Sequence, residues 1–298
     1  MRTIVAIGNF DGVHLGHQAI LSTARKLAGP SGTVVAVTFW PHPLSVLQPK
    51  HAPALLCDIE DRVSLLKRFG ADEVSIVEFT KTLGSWTPDQ FVERVLCPLN
   101  PTAVVVGQNF RFGRGASADP DTMRELAEGR FEVCVLDMLC DGGPVSSSRI
   151  RAALEAGDPS LAAKMLGRWF RYSGMVVLGD QRGRTLGFPT ANLTVPALHA
   201  CPTDGVYAGY LTRGDDAWPA AISVGTNPTF GGSGRRVEAN ALDRTDLKLY
   251  GERVGVDFVA RLRGQRRFSS TEELTEQLAR DVVQTRHVLN TFSQQEVS

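Results

Sequence analysis

The sequence predicts two folds in one chain: a doubly wound α/β domain with a parallel sheet, then a small antiparallel β-barrel or sandwich with one terminal helix. Three observations carry this. Continuous apolar, β-branched runs alternate with amphipathic helical patterns through the first half. From about Arg171 short strands follow one another, divided by Gly, Pro and Asp, and no helical pattern interrupts them until residue 270. With 298 residues, 43% of them apolar and 21% charged, the chain suits one large or two ordinary globular domains. The change of pattern places the boundary at 1–168 and 169–298.

The elements follow in order. "TIVAIG" reads as a buried strand and "HQAILSTARKLA" as a helix with Ile20, Ala24 and Leu27 on one face. "GTVVAVTFW" is the next strand, and "DIEDRVSLLKRFG" a helix turning Val63, Leu66 and Phe69 inward. Strand "EVSIVEF", helix "TPDQFVERVL" capped by Thr87, strand "TAVVVG", helix "DPDTMRELAEG" and strand "FEVCVLDM" complete the alternation. The helical segments "SSRIRAALEAG" and "SLAAKMLGRWF" close this half. The second half holds the strands "YSGMVVLGD", "GVYAGYLTR", "WPAAISVG", "RRVEANALD" and "RVGVDFVARLR". Its terminal helix starts with a capping box, Ser270 or Thr271 with Glu273.

Composition narrows the function. The 32 basic and 32 acidic side chains cancel, which argues against nucleic-acid or membrane-surface partners. The cluster Arg261, Arg263, Arg266 and Arg267 reads as a solvated face. The five cysteines show no C-x-x-C spacing, so neither a disulfide framework nor a zinc site is expected. The first apolar run is too short for a signal peptide, and "TVVAVTFW" is far below the roughly 18 residues that span a membrane. The expectation is a cytoplasmic protein with reduced, mostly buried thiols and small-molecule partners.

The first chemical site is "GNFDGVHLGH", Gly8 to His17, between the first strand and the first helix. Glycines there let backbone approach a phosphate, and a helix N-terminus offers N–H groups and a positive dipole end. Two imidazoles can donate to phosphate oxygens and stabilise charge at a reacting phosphorus. A zinc reading is weaker, because His14 and His17 stand at i, i+3 without an evident third ligand.

This segment resembles the G-x-F-D-x-x-H-x-G-H signature of the nucleotidyltransferase superfamily, so the α/β domain is expected to be Rossmann-like. "TFWPHP", "VVVGQNFRFGRG" and "SSSRIR" are similar to the FAD synthetase domain of the bacterial bifunctional riboflavin kinase/FAD synthetases. The resemblance implies nucleotide contacts from Gly8, Phe10, Asp11, Gly16, Ser147 and Ser148, catalytic roles for His14, His17 and Arg151, and flavin contacts from Asn109, Phe110 and Phe112.

The second half carries "GDQRGRTLGFPTANLTVP". Thr190 is a hydroxyl able to bind Mg²⁺, and Asn192 can orient phosphate oxygens. Glu238, between apolar neighbours on a barrel strand, reads as either a salt-bridged carboxylate or a base. This half resembles riboflavin kinase, through "LGFPTANL", "GVYAGY", "ISVGTNPTF", "VEANALD" and "LYGERVGVDFVARLR". The resemblance implies that Thr190 and Asn192 hold Mg-ATP, with Gly187 in the nucleotide loop, and that Glu238 takes the proton of the ribityl 5′-hydroxyl. The whole chain would then make FMN from riboflavin and ATP, and FAD from FMN and a second ATP. Asn240 and Ala241 depart from the family's V-E-x-H-L-L-D. An FMN cytidylyltransferase or riboflavin-analogue enzyme, or a kinase half that only binds flavin, are the alternatives.

Overall fold

The strand β1 (Thr3–Ile7) has almost no solvent exposure at Ile4 to Ile7 on either face, as a continuous apolar run requires. It is the middle of a five-stranded parallel sheet of order β3-β2-β1-β4-β5. The other strands are β2 (Thr33–Trp40), β3 (Glu73–Glu78), β4 (Ala103–Gly107) and β5 (Glu132–Leu136). Alternate residues feed two cores. Val5, Ile7, Val35, Val37, Val104 and Val106 pack on one side with Phe91, Val92 and Met123. Ile4, Ala6, Val34, Ala36, Ala103 and Val105 pack on the other with Ile20, Leu21, Ala24 and Leu66. Each fully buried Val, Leu, Ile, Phe or Met side chain contributes roughly 1.5–3 kcal/mol to this arrangement. The structure is a computed structural model that describes residues 2–179, 187–196, 198–226 and 235–295.

The helices on this sheet are α1 (Leu15–Ala28), α2 (Pro43–Leu47), α3 (Ile59–Arg68), α4 (Lys81–Gly84), α5 (Pro88–Phe91) and α6 (Pro120–Ala127). Three sequence expectations need correction. On α1 the buried set is Ile20, Leu21, Ala24 and Ala28, which rotates the apolar stripe and leaves Leu27 exposed. On α3 the buried positions are Arg62 and Leu66, while Val63 and Phe69 are half-buried. The helix from Thr87 is α5 continued by a π-helical stretch, Val92–Leu96, whose wider turn turns Val92, Val95 and Leu96 all inward. Thr87 caps it in a full box with Gln90.

Helices α7 (Ser147–Glu155) and α8 (Pro159–Leu166) lead into the β-rich part. The chain divides into two compact units, Met1–Ser147 and Ser148–Ser298, so most of α7 and all of α8 group with the second. That unit is a closed antiparallel barrel, which decides between barrel and sandwich. Its strands are β6 (Phe170–Val177), β7 (Ala191–Val195), β8 (Gly205–Arg213), β9 (Asp216–Thr226), β10 (Arg235–Ala241) and β11 (Arg253–Arg263), in the order β10-β7-β6-β11-β8-β9. Strand β7 was not expected from the sequence.

Inside the barrel, Phe258 packs with Phe170 and edge-on with Tyr207, whose hydroxyl donates to Thr203 O at 2.5 Å. Helix α9 (Thr271–Gln295) covers the outside, seating Leu289 against Ala208 and Val259, with Phe292 edge-on to Trp169. Ser270 caps it by accepting from Glu273 N, and Glu273 reaches back to Ser269 N. Residues 180–186 of the Gly-rich stretch and 227–230 of "ISVGTNPTF" lie outside the described residues.

All five cysteines are free thiols. Only Cys57 and Cys201 are fully buried, and Cys140 is exposed, which corrects the expectation of mostly buried thiols.

Candidate functional sites

The sheet order sends the chain from β1 outward through β2 to β3, then back across to β4 beside β1. Beyond the carboxyl ends of β1 and β4 lies the topological switch point, the crevice where open α/β sheets bind ligands. Three sequence motifs leave the sheet at this end: "GNFDGVHLGH" after β1, "WPHP" after β2 and "GQNF" at the end of β4.

The β1 loop is held in an unusual backbone shape. Phe10, Gly12 and Val13 all have positive φ, at 50°, 80° and 39°. Several hydrogen bonds fix it. Gly8 N donates to Val37 O at 3.1 Å, and Thr38 Oγ1 donates to Asn9 O at 3.0 Å. Leu56 N donates to Asp11 Oδ1 at 2.9 Å, and Gly12 N donates to Cys57 Sγ at 3.3 Å. Ser147 Oγ donates to Asp11 O at 2.8 Å. Burial, and secondarily the Asp11 carboxylate, push the Cys57 thiol up to about 11, so this sulfur stays uncharged.

The loop delivers His14 to the N-cap of α1 and His17 to its first turn. The two rings stack at 3.6 Å with 18° between their planes, and Phe10 meets His17 edge-on at 5.1 Å. A Cβ on Gly16 would lie 3.2 Å from His14 Cε1, so glycine leaves this ring its place. Gly8 borders the Phe10 ring. The arrangement is two adjacent imidazoles at a helix N-terminus over a strand end, which is suited to stabilising a polyphosphate.

At the end of β4, Asn109 is exposed and Phe110 half-buried. Phe112 lies deeper, within the core against Phe91, and stacks on Phe110 at 5.9 Å. Ser147 belongs to the first compact unit, whereas Ser148 and Arg151 belong to the second.

In the barrel unit, β10 turns Val237, Ala239 and Ala241 inward and Glu238 and Asn240 outward. Glu238 is half-buried and directly opposite Asn192 on β7 and Ser223 on β9, so the three share the outer face. Asn192 is buried, and its Nδ2 donates to Thr190 Oγ1 at 3.2 Å. A Cβ on Gly179, two residues past β6, would stand 2.5 Å from the Asn192 side chain, so glycine lets the chain pass it there. Gly187 has φ +84° and open space around it.

Glu238 lines a cavity of about 440 Å³ with Arg236, Ser223, Gln265, Arg266 and Arg267. Gln265 is fixed by donating to Val224 O at 2.8 Å and Ser223 Oγ at 3.2 Å. Just before it, Arg263 forms a two-pronged bond to the buried Asp281 of α9. The arginine cluster is therefore not simply a solvated face. Arg261 donates to Asp204 O, Arg263 anchors the helix, and Arg266 pairs with Glu273 while lining the cavity.

Sequence reasoning missed two residues beside these sites. One is Arg62, fully buried beneath the β1 loop. The other is Asn240, noted only as a departure, whose Nδ2 donates to Pro189 O at 2.7 Å and so pins the residue before Thr190. Arg62 carries no sequence signal, and Asn240 stands out only as a departure from the family pattern, since each acts through a partner distant in the chain.

Residues 1–149 match the FAD synthetase family model, and residues 166–289 the riboflavin kinase model. The class is thus a two-domain enzyme that transfers phosphorus-containing groups. The chain is 34% identical over 286 residues to the bifunctional riboflavin kinase/FMN adenylyltransferase of Bacillus subtilis (strain 168), covering 94% of this chain and 90% of that one. It is 35% identical over 291 residues to the protein of the same name from Escherichia coli (strain K12), covering 95% and 91%. It belongs to the bifunctional riboflavin kinase/FMN adenylyltransferase family, whose substrates are ATP, riboflavin and FMN. A solved structure described as a macrolide-efflux protein from Streptococcus pneumoniae is also similar, at 33% identity and a TM-score of 0.86 over 96% of this chain and 94% of that one. Among the described residues no helix is long and apolar enough to cross a membrane.

Proposed function

We propose that residues 169–298 phosphorylate riboflavin, giving FMN and ADP, and that residues 1–168 join AMP from a second ATP to FMN, giving FAD and pyrophosphate, in the cytoplasm. The observation that carries the adenylyl step is the stacked pair His14 and His17 at the sheet's switch point. Their ring N–H groups would donate to the ATP phosphates and stabilise charge as FMN's phosphate oxygen attacks the α-phosphorus. Gly8, Phe10, Asp11 and Gly16 shape the loop around them. Ser147, Ser148 and Arg151 would bind the triphosphate, the last two on the strength of the motif alone. Asn109 and Phe110 would contact the flavin, with Phe112 backing Phe110 from the core.

For the kinase, Glu238 would accept the ribityl 5′-hydroxyl proton as that oxygen attacks the γ-phosphorus, a contribution of roughly 10²–10⁴ in rate. Its half-buried place on the cavity, opposite Asn192, supports this. Thr190 Oγ1 and the Asn192 carboxamide oxygen are hard oxygen donors of the type Mg²⁺ takes, and the bond between these side chains holds them together. Mg²⁺, when bound, supplies neutralisation of the ATP phosphates. Gly187, with φ +84°, would contribute to nucleotide binding.

The test assays both steps separately by mass spectrometry, with each nucleoside triphosphate. Glu238→Gln is expected to lose FMN formation while FMN-to-FAD conversion persists, and His17→Ala the reverse. Loss of both steps in either folded variant overturns the two-site reading, and a CMP adduct alone would replace the adenylyl assignment.

A further inference from the structure

Arg62 lies on α3 where one more aliphatic residue would complete the core stripe with Leu66. Instead a guanidinium sits there with no solvent exposure. Burying such a charge costs several kcal/mol unless it is paired and hydrogen-bonded. Its bonds all lead to the β1 loop or to the strand beneath it. Nη1 donates to Phe39 O at 3.1 Å and to Thr38 Oγ1 at 3.4 Å, and Thr38 in turn donates to Asn9 O. Nη2 faces Asp11 Oδ1 at 3.8 Å, and the guanidinium lies 5.5 Å from the centre of the Trp40 ring. Nε and Nη2 make no hydrogen bond among the described residues, so the Asp11 carboxylate is the charge partner of a guanidinium that hydrogen bonds satisfy only in part.

We propose that Arg62 is a positioning residue for adenylyl transfer: from beneath, it holds Asp11 and Thr38, and through them the backbone that presents His14 and His17. It touches no substrate, since it has no exposed surface. Asp11 links it to two further segments, through Leu56 N on its carboxylate and Ser147 Oγ on its carbonyl. The buried pair also neutralises the Asp11 charge under a loop that receives an anion. This inference rests on the reading of residues 8–17 as the adenylyl-transfer site.

The test uses the full chain with Arg62→Met, Arg62→Lys and, in parallel, His17→Ala. Fold is read by circular dichroism and thermal melting, and the two reactions are assayed separately. Misplacement of a catalytic group by about 1 Å costs on the order of 10²-fold. Arg62→Met is expected to lose about that much kcat/KM for FMN-to-FAD conversion, with KM for ATP raised and riboflavin phosphorylation unchanged. Arg62→Lys, which keeps the charge but not the fork, should fall between it and the parent. A folded Arg62→Met within threefold of the parent in FAD formation overturns the proposal, as does a lowered melting temperature with unchanged kcat and KM. If Arg62→Met does not fold, Arg62→Lys decides: a KM for ATP raised at least fivefold supports the proposal, and a smaller change overturns it. Abolition by His17→Ala together with a parent-like Arg62 variant removes this inference alone. Full activity of His17→Ala removes the underlying reading as well.

Discussion

Replacing Gly12 with alanine tests how tightly the β1 loop is held. The residue has φ +80°, which costs an L residue roughly 1–2 kcal/mol. The new Cβ would also stand 2.8 Å from Leu56 Cδ1 and 3.0 Å from Leu56 Cβ. Leu56 is buried, and its own N–H holds Asp11, while Cys57 beside it accepts from Gly12 N. Relief of the clash therefore moves a packed side chain and strains at least one of these bonds, a cost of about 1–3 kcal/mol. Together the loss is about 2–5 kcal/mol, a large part of the roughly 5–15 kcal/mol by which a domain is stable. The melting temperature of the first unit should fall by roughly 6–15 °C. Differential scanning calorimetry reads that fall, and product analysis reads the two reactions. FAD formation should be lost with the loop geometry, and riboflavin phosphorylation should persist. An unchanged melting temperature with parent-like FAD formation would refute the account of the loop.

Three further outcomes follow from single contacts. Asn240→Ala removes the donor to Pro189 O and should raise the kinase KM for ATP several-fold, while Asn240→His, the family's usual residue, should restore it in the same steady-state assay. Asp72 is held below its ordinary value of 3.8 by Val34 N and then by Arg25. Its stabilisation is therefore present above that value and is lost as pH falls through the lower, folded one. The melting-temperature gap between parent and Asp72→Asn should be full at pH 7 and close progressively in acid below pH 3.8. With Cys57 buried and its thiol pushed to about 11, iodoacetamide at pH 8 should label the exposed Cys140 first and spare Cys57 in native protein, as peptide mass mapping would show.

Periodicity made most of the fold legible, because a β strand buried on both faces must be apolar throughout and a surface helix on one face only. β1 and α1 are clear cases, although the sequence pattern misjudged which way α1 faces at Leu27. Strand β7 escaped notice because "ANLTV" is short and follows Gly and Pro, and only its partners β6 and β10 make it a strand. The histidine pair was legible from its place between strand and helix, but its stacking was not, since that depends on Phe10 and Val13 adopting left-handed backbone. Arg62 was illegible for a deeper reason. A charged residue within a helical pattern reads as solvent-facing, and its partners here, Asp11, Thr38, Phe39 and Trp40, all come from other segments.

The closing of the barrel has a consequence for self-association. Among the described residues every strand of the barrel has neighbours on both sides, which leaves these strands no open edge to pair with another chain. The first unit's sheet has two edges, β3 and β5, and on β3 Ile76 is 48% exposed between Glu73 and Glu78, both at the surface. Those glutamates act as gatekeepers, and their charge repels a second copy of the same strand. Pairing of a second copy through β3 should therefore depend on these two carboxylates.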